Sequence, residues 1–580
     1  MTAAERPEAP PFLQTAAVGA LMLALAATPL AAARFAGNPF FLLTLKWTVA
    51  AILLLPAAAV LILGSPTLGR ARYGDGVVAA WFGLGVLATA GAEAFGPAVT
   101  RLTEMTTVAA AYFIASRASD RGLVRSAFVG VVLPVAAIVA SYSIAQHMGA
   151  NPLRLVSEGE DQLCATFVNR NLLAGFLAFS LVIGLEAIAS ARRPVARAAA
   201  TGAVTVIVAA LVLSSTRGAW VGAAGAFVLW VLRPERLRLA ALAPILLGVI
   251  LGAGVSHHEG SSGRLKVDGH KKSVGERKML WRIGRDLLVD RPLLGWGPGN
   301  FDSASETKKA PYFRQKENRA IFQLPRFAHN DAVELSTEMG IPGAVLWLCL
   351  IGALARRVRR EWHSEGGAIA LGCVALAVHG LFHWSLHDPV ASLLFFAGLG
   401  ATAPMAPSTE PIRPWVARGV KLAVALGTAI TLLTMTRTLA ARTLFERGVA
   451  EQQAGEIHQA LWTQRSACLL DPAFAEALSQ RAFLLAEMGF PADALNLLEA
   501  AREAAPYDEA VRFNQGILHE RRGSLASARR AFEDVKDGNP NLADVYFSLA
   551  RVEEADGKPD QAARWRSEAA LILGERLRER

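Results

Sequence analysis

The sequence predicts an all-α protein in two parts: a polytopic transmembrane helical bundle of about 12–13 spans, then an α-solenoid of helical hairpins. Three observations lead there. The chain has 580 residues, 53% of them hydrophobic, and the apolar ones gather into blocks of about 16 to 25 residues. That is the length a helix needs to cross a bilayer. The last 140 residues lack such blocks. That tail instead keeps a period of 34: Gly455, Gly489, Gly523 and Gly557; Ala460, Ala494, Ala528 and Ala562; Pro472, Pro506 and Pro540. Residues 1–440 are therefore expected to form the membrane domain and residues 441–580 the repeat domain.

Thirteen apolar spans can be drawn, roughly 12–33, 40–63, 77–92, 103–118, 123–148, 172–190, 198–215, 218–232, 239–255, 341–355, 366–386, 389–403 and 416–440. The first could be mistaken for a cleaved signal. Its flank carries Glu5, Arg6 and Glu8 without lysine, and the run is long, so it reads as a membrane helix. Orientation follows from short-loop arginines. Arg70, Arg72, Arg117, Arg121, Arg125, Arg192, Arg193, Arg197, Arg233, Arg236, Arg238, Arg356, Arg357, Arg359, Arg360, Arg413 and Arg418 lie in one set of loops. The alternate set holds only Arg34, Arg101, Arg154, Arg170 and Arg217. The richer set is cytoplasmic, so the N-terminus is inside, and the long loop 256–327 and the tail are outside. The net charge of +10 falls mostly in these loops and gives no reason to expect nucleic acid. Cys164, Cys349, Cys373 and Cys468 have neither paired nor metal-ligand spacing and read as free thiols. The tail's Gly, Ala and Pro pattern is the tetratricopeptide repeat, about four hairpins that bind proteins or peptides more often than they catalyse.

The polar motifs all fall on the outer side. In AHNDAVELSTEMGIPG, residues 328–343, His329, Asn330, Asp331, Glu334 and Glu338 run straight into an apolar span. Ionisable groups at membrane depth mark a functional site by default; the plainer reading is a capped helix start. TFVNRNLLAGF, 166–176, offers Asn169, Arg170 and Asn171, with helix capping again the plainer reading. In SSTRGAW, 214–220, Arg217 is an isolated charge among apolar residues. It either snorkels or meets a phosphate. Loop 256–327 carries fifteen Lys or Arg against eight Asp or Glu. Its stretch 275–301 has an amphipathic period, with Leu280, Trp281, Ile283, Leu287 and Leu288 apolar and Arg277, Arg282 and Arg285 charged. The helix is expected to stop at Pro292 and could lie on the membrane surface. Gly295, Gly297 and Gly299 follow without a preceding strand. They suggest close backbone approach to a substrate, not a dinucleotide fingerprint. His379, His383 and His387 recur every four residues and suggest a polar helix stripe sooner than a metal site.

Together these stretches resemble the bacterial O-antigen ligase family, which also includes O-antigen polymerases and some protein O-oligosaccharyltransferases. The resemblance rests on His329-Asn330, nine residues, Gly340, two residues, Gly343; on FVNRN before span six; on STRG at 215–218; on Arg277, Trp281 and PLLGWGPGNF; and on HDP at 387–389. It implies an inner-membrane glycosyltransferase of lipopolysaccharide or polysaccharide biosynthesis. The donor would be a glycan on undecaprenyl diphosphate, the acceptor a hydroxyl of lipid A core or of a growing glycan, both at the periplasmic face. No metal, cofactor or nucleic acid is implied. Arg217 and Arg277, with Arg282 in reserve, would meet the diphosphate, and His329 would be the general base. Asn169, Arg170, Asn171, Asn330, Gly297, Gly299 and His387 are the substrate-binding candidates. The rival readings are a lipid-linked glycan transporter or flippase, a protein O-oligosaccharyltransferase, and a membrane-anchored scaffold whose repeats recruit a protein partner.

Overall fold

The computed structural model describes residues 9–32, 39–65, 72–118, 121–153, 163–167, 169–233, 242–258, 267–364, 366–404 and 414–579. The expectations for Arg34, Arg70, Arg154, Arg236, Arg238 and Arg413 lie outside the described residues. The described residues are helical, without strands.

The membrane part runs α1 Pro11–Leu30, α2 Pro39–Leu63, α3 Asp75–Ala90, α4 Phe95–Arg117, α5 Arg121–Ala127 and α6 Leu133–His147, then α7 Arg170–Ser190, α8 Pro194–Leu213, α9 Arg217–Val231 and α10 Leu242–His258. After a helical outer segment come α14 Asp331–Arg360, α15 Gly366–Gly380, α16 Pro389–Ala401 and α17 Pro414–Gln453. By length and composition, seven of the described helices can cross a membrane, and five more are apolar but shorter. Helix α7 is the axis. Nearly every residue from Leu172 to Ala189 is buried, as expected of a helix that is apolar all round. Helix α17 is the opposite case, with Leu422, Leu426, Ile430 and Leu433 exposed along it.

Buried polar groups tie the bundle at its two ends. At one end Arg117 pairs with Asp75 at 2.7 Å, Arg125 with Glu361 at 2.8 Å and Arg233 with Glu186 at 3.0 Å. At the other, the Lys46 ammonium donates to the carbonyls of Thr28 and Pro29 at 2.7 and 2.8 Å. These carbonyls close α1, whose last turn has no helical partners for them.

The outer segment comprises α11 Val267–Asp290, the short α12 Phe301–Ser305 and α13 Ala310–Phe313. Helix α11 ends just before Pro292, as expected, but it does not use its apolar face on a lipid surface. Leu280, Ile283 and Leu287 are fully buried against Trp296, Phe301 and Phe313, which form a small core of their own. Helix α14 is bent at Gly340, whose φ is 69° and ψ −164°. Pro342 has no N–H to bridge the bend. The chain at 292–297 fills the gap: Trp296 N donates to Thr337 O at 3.1 Å, Gly297 N to Glu338 O at 2.9 Å, and Ile341 N to Pro292 O at 2.7 Å.

The tail forms α18 Ile457–Leu470, α19 Ala475–Glu487, α20 Pro491–Ala504, α21 Glu509–Arg521, α22 Leu525–Gly538, α23 Ala543–Ala555 and α24 Pro559–Glu579. Gly455, Gly489, Gly523 and Gly557 all have φ between 71° and 88°. Each turns the chain between the two helices of a hairpin, a conformation glycine adopts without strain. Ala460, Ala494, Ala528 and Ala562 are buried at the close helix contacts. The first hairpin pairs α17 with α18, so position 440 falls inside one continuous helix and no linker separates the two parts. None of the four cysteines forms a disulfide.

Candidate active site

Three helix starts meet at one end of the bundle. At α7, Asn169 accepts hydrogen bonds from the backbone of Asn171 and Leu172 at 3.0 and 3.1 Å. At α9, Arg217 is the first residue, and Ser215, two residues before it, has φ 51°. At α14, Asn330 accepts from Ala332 N and Val333 N at 3.0 and 3.2 Å. The preceding His329 also has φ 51°. Non-glycine residues in this left-handed region are uncommon and gather where surrounding structure over-determines the backbone.

The starts are laced together. Thr216 donates to the side chain of Asn171 at 3.1 Å. Asn330 donates its amide to Leu381 O, just past the end of α15, at 3.0 Å. Gly218 lets α9 close on that end: a Cβ there would lie 2.9 Å from Phe382 Cβ. Helix α11 is pinned beside them, because the Trp281 indole donates to Ala328 O, one residue before His329, at 3.1 Å.

Charge gathers at this junction. Arg277, half-buried on α11, acts electrostatically on His329, His379 and His383, and is itself acted on by Arg217. Burial, and then the neighbouring Arg217, lower the pKa of Arg277. Burial, and then Arg277, pull His329 down to about 4. His329 Nδ1 is buried and has no hydrogen-bond partner in the structure. The His383 ring stands 5.6 Å from His329 and 5.1 Å from His379.

Several expected roles are corrected. His379, His383 and His387 do not form a helix stripe, because α15 ends at Gly380 and the last two lie in the turns that follow. His387 is buried behind the junction, its ring nitrogens each 3.6 Å from a carboxylate oxygen of Glu334 or Glu338. It is a packed polar neighbour of α14 instead of a group open to substrate. The donor atoms of Glu334, Glu338 and His387 lie within 4.8 Å of one another, close enough to hold a cation. Arg101 already supplies positive charge there, acting on all three. Its guanidinium is held by Glu104 and Leu386 O, both at 2.8 Å.

Gly297 and Gly299, with φ of 98° and 74°, pack close to protein: Cβ atoms there would meet Ala92 at 2.4 Å and Arg101 at 3.0 Å. The backbone N–H groups of Gly299 and Phe301 face the Glu338 carboxylate. Asn330 has both ends of its amide committed to protein, so it positions the chain. Asn169 caps α7, and Asp388 caps α16 by accepting from Ala391 N at 2.9 Å. Arg170 and Arg282 are exposed, and Arg282 acts on Tyr312, on the far face of α11. The junction thus gathers Arg217, Arg277, His329 and Asn171 from the expected set.

Sequence reasoning did not single out Arg101. It stood in the outer-loop set as one arginine among five, and its i,i+3 partner Glu104 was the only further signal.

These features define a multi-pass helical membrane protein whose polar junction lies at one end of the bundle. More specifically, residues 202–348 match a family described as "O-Antigen ligase". The matched stretch runs from α8 to the bend region of α14 and contains Arg217, Arg277, Arg282, Gly297, Gly299, His329 and Asn330. Asn169, Arg170, Asn171 and His387 lie outside it. The chain is 24% identical over 103 residues to "Putative polysaccharide ligase" of Rickettsia conorii, covering 17% of this chain and 24% of that protein. It is 25% identical over 105 residues to the protein of the same name from Rickettsia typhi, covering 18% and 25%. The chain therefore spans about a quarter of these relatives' length. Among solved structures, the crystal structure of MamA covers 27% of this chain and 96% of its own, at 16% identity and a TM-score of 0.23, too low to inform function.

Proposed function

We propose that this protein is a membrane glycosyltransferase of the O-antigen ligase type. It transfers a glycan from an undecaprenyl-diphosphate carrier to an acceptor hydroxyl at the periplasmic face of the inner membrane, using no metal and no cofactor. The acceptor is a hydroxyl of lipid A core or of a growing polysaccharide. The observation behind this reading is the convergence of Arg217, Arg277 and His329, from three separate stretches of chain, on one junction.

The chemistry follows from those groups. The acceptor oxygen attacks C1 of the donor sugar and the new C1–O bond forms. The bond from C1 to the phosphate oxygen breaks, and the lipid diphosphate leaves with the electron pair. Its growing charge meets the guanidinium groups of half-buried Arg277 and exposed Arg217. The acceptor proton passes to His329, which is neutral at physiological pH and has an unpartnered ring nitrogen.

The test is a purified system: the full chain in lipid, a glycan on a polyprenyl diphosphate, and a hydroxyl acceptor of either class. Formation of the new glycosidic bond, lost in His329→Ala, is the expected result. Absence of product with both acceptor classes would sink the reading.

A further inference from the structure

The repeat array rests on the outer segment with one edge, the row of turns that follows each repeat proline. Ala473, Tyr507 and Asn541 each stand one residue past Pro472, Pro506 and Pro540, so they are equivalent positions in successive repeats. Tyr507 and Asn541 face the outer segment, and Ala473 faces the start of α4. Ala473 sits against Gly96. The Tyr507 hydroxyl donates to the Glu93 carboxylate, which also pairs with Arg291. The Arg291 guanidinium lies 4.1 Å over the Trp296 ring, and Tyr507 meets that ring edge-on at 6.5 Å.

Asn541 makes the most of its position. Its amide nitrogen reaches the carbonyls of Phe313, Asn318 and Ile321 at 3.1, 2.9 and 2.8 Å. Two amide hydrogens are shared among three acceptors, and the side chain is buried. Asn539, also buried, donates to Phe322 O at 2.8 Å. Lys309 crosses the same interface to Glu509 at 2.6 Å and also pairs with Glu306.

We propose that the array is a cis-acting clamp: its turn edge binds the backbone of residues 313–322 and thereby holds His329 at the junction. Asn541 and Lys309 are its positioning residues. The occupant of this edge is thus a segment of the same chain. Three steps carry the argument. Between α13 and α14 the chain has only a short helical turn at Lys316–Asn318, so most of its backbone groups cannot be satisfied by its own helix. Buried carbonyls need donors, and the array supplies them. Seven residues past Phe322 stands His329, whose left-handed backbone persists only if both flanks are fixed. Asn330 fixes one flank. The other is held at Ala328 O by the Trp281 indole at 3.1 Å and runs through Phe327, stacked on Trp384 at 4.2 Å, back to the clamped segment. The second contact, through Tyr507, braces the turn that fills the bend of α14.

The inference rests on the transfer reading only for its rate measurement. The test uses the full chain in lipid with Asn541→Ala and Lys309→Ala, the second lying outside the array. Backbone hydrogen exchange is followed over 313–330 and over α18–α24. Exchange at the His329 ring carbon, measured against pH, reports that imidazole's pKa. Both variants are expected to speed exchange across 313–330 about tenfold or more, and to raise the His329 pKa as its ring leaves Arg277. They should lower kcat by about tenfold or more, since small misplacements of a reacting group are costly, with little change in donor KM. Exchange in α18–α24 should stay near wild type. If Asn541→Ala loosens the array itself, Lys309→Ala decides. Unchanged exchange over 313–330 in Lys309→Ala overturns the clamp. Faster exchange with an unmoved His329 pKa overturns the positioning claim. A wild-type protein inactive in transfer counts against the proposed function, while the two exchange measurements still decide the clamp.

Discussion

His329 combines an unusual backbone with a depressed pKa, and both have consequences at the scale of the residue. Its replacement by alanine should lower kcat by about 10²–10⁴, the range for loss of a general base, with donor binding retained. Near-normal transfer by His329→Ala would leave the residue as a positioning group. The pH profile gives a second check. A base must be neutral, and burial followed by Arg277 holds His329 at about 4. Hence kcat/KM, which reports the free enzyme, should persist on acidification and fall only near pH 4. A bound diphosphate offsets Arg277, so the ring's pKa rises and kcat should fail at a higher pH than kcat/KM. The reverse order of the two acidic limbs would contradict the assignment. Arg217→Lys should recover little of what Arg217→Ala loses in donor affinity, because an ammonium cannot make the two-pronged contact of a guanidinium. Equal donor affinity for lysine and arginine enzymes would show that charge alone suffices. The meeting of these three stretches was expected from the sequence on different grounds: Arg217 is an isolated charge among apolar residues, His329 opens a polar run into an apolar span, and Arg277 lies on the charged side of an amphipathic stretch. The roles of His387 and Asn330 were not: the first depends on Glu334 and Glu338 across a helix boundary, the second on Leu381 O fifty-one residues away.

Among the elements, α14 departs most from its expectation, and for a physical reason. Hydropathy placed the span at 341–355, yet the helix begins ten residues earlier, at Asp331. The polar turns from Asp331 to Glu338 are buried because α11 and the chain at 291–301 cover them. No local pattern announces a cover supplied from forty residues upstream. The signal that was present, Gly-Ile-Pro-Gly, marks the bend. At Gly340 a Cβ would lie 2.6 Å from Pro292 O, in a backbone region L-residues avoid. Gly340→Ala should therefore destabilise the protein by about 1–3 kcal/mol and lower its thermal unfolding midpoint in detergent. Gly352→Ala, farther along the same helix with open space at its Cβ, should leave the midpoint unchanged. If the two substitutions behave alike, the bend is not set by Gly340. Helix α15 fell short of its expected end by six residues, since its histidines read as a helical period but take part in turns. Helix α11 was legible as amphipathic, though not which surface its apolar face would find.

For the whole molecule, the 34-residue period made the repeat array legible, since each hairpin needs its left-handed glycine and its close-contact alanine. What it did not reveal is that α17 serves both bundle and array. Nor did it reveal the docking, which joins Asn539 and Asn541 to carbonyls about 220 residues away in sequence. That docking bears on orientation. Because the array touches the outer segment directly, both lie on the same side of any membrane the bundle crosses, whatever the number of spans. Under the proposed function that side is the periplasm, which is also what the arginine asymmetry of the sequence leads one to expect. In a chain with Cys349, the one exposed thiol, replaced by serine, single cysteines at exposed Val289 and Asp560 should both react with a membrane-impermeant thiol reagent in intact spheroplasts. A cysteine at exposed Arg359, by the opposite end of α14, should react only after lysis. If Val289 and Asp560 report opposite sides, the docking of array on loop is absent in the membrane. If both react only after lysis while Arg359 reacts before it, the docking stands but the orientation reverses. The site would then face the cytoplasm, where a periplasmic acceptor cannot reach it.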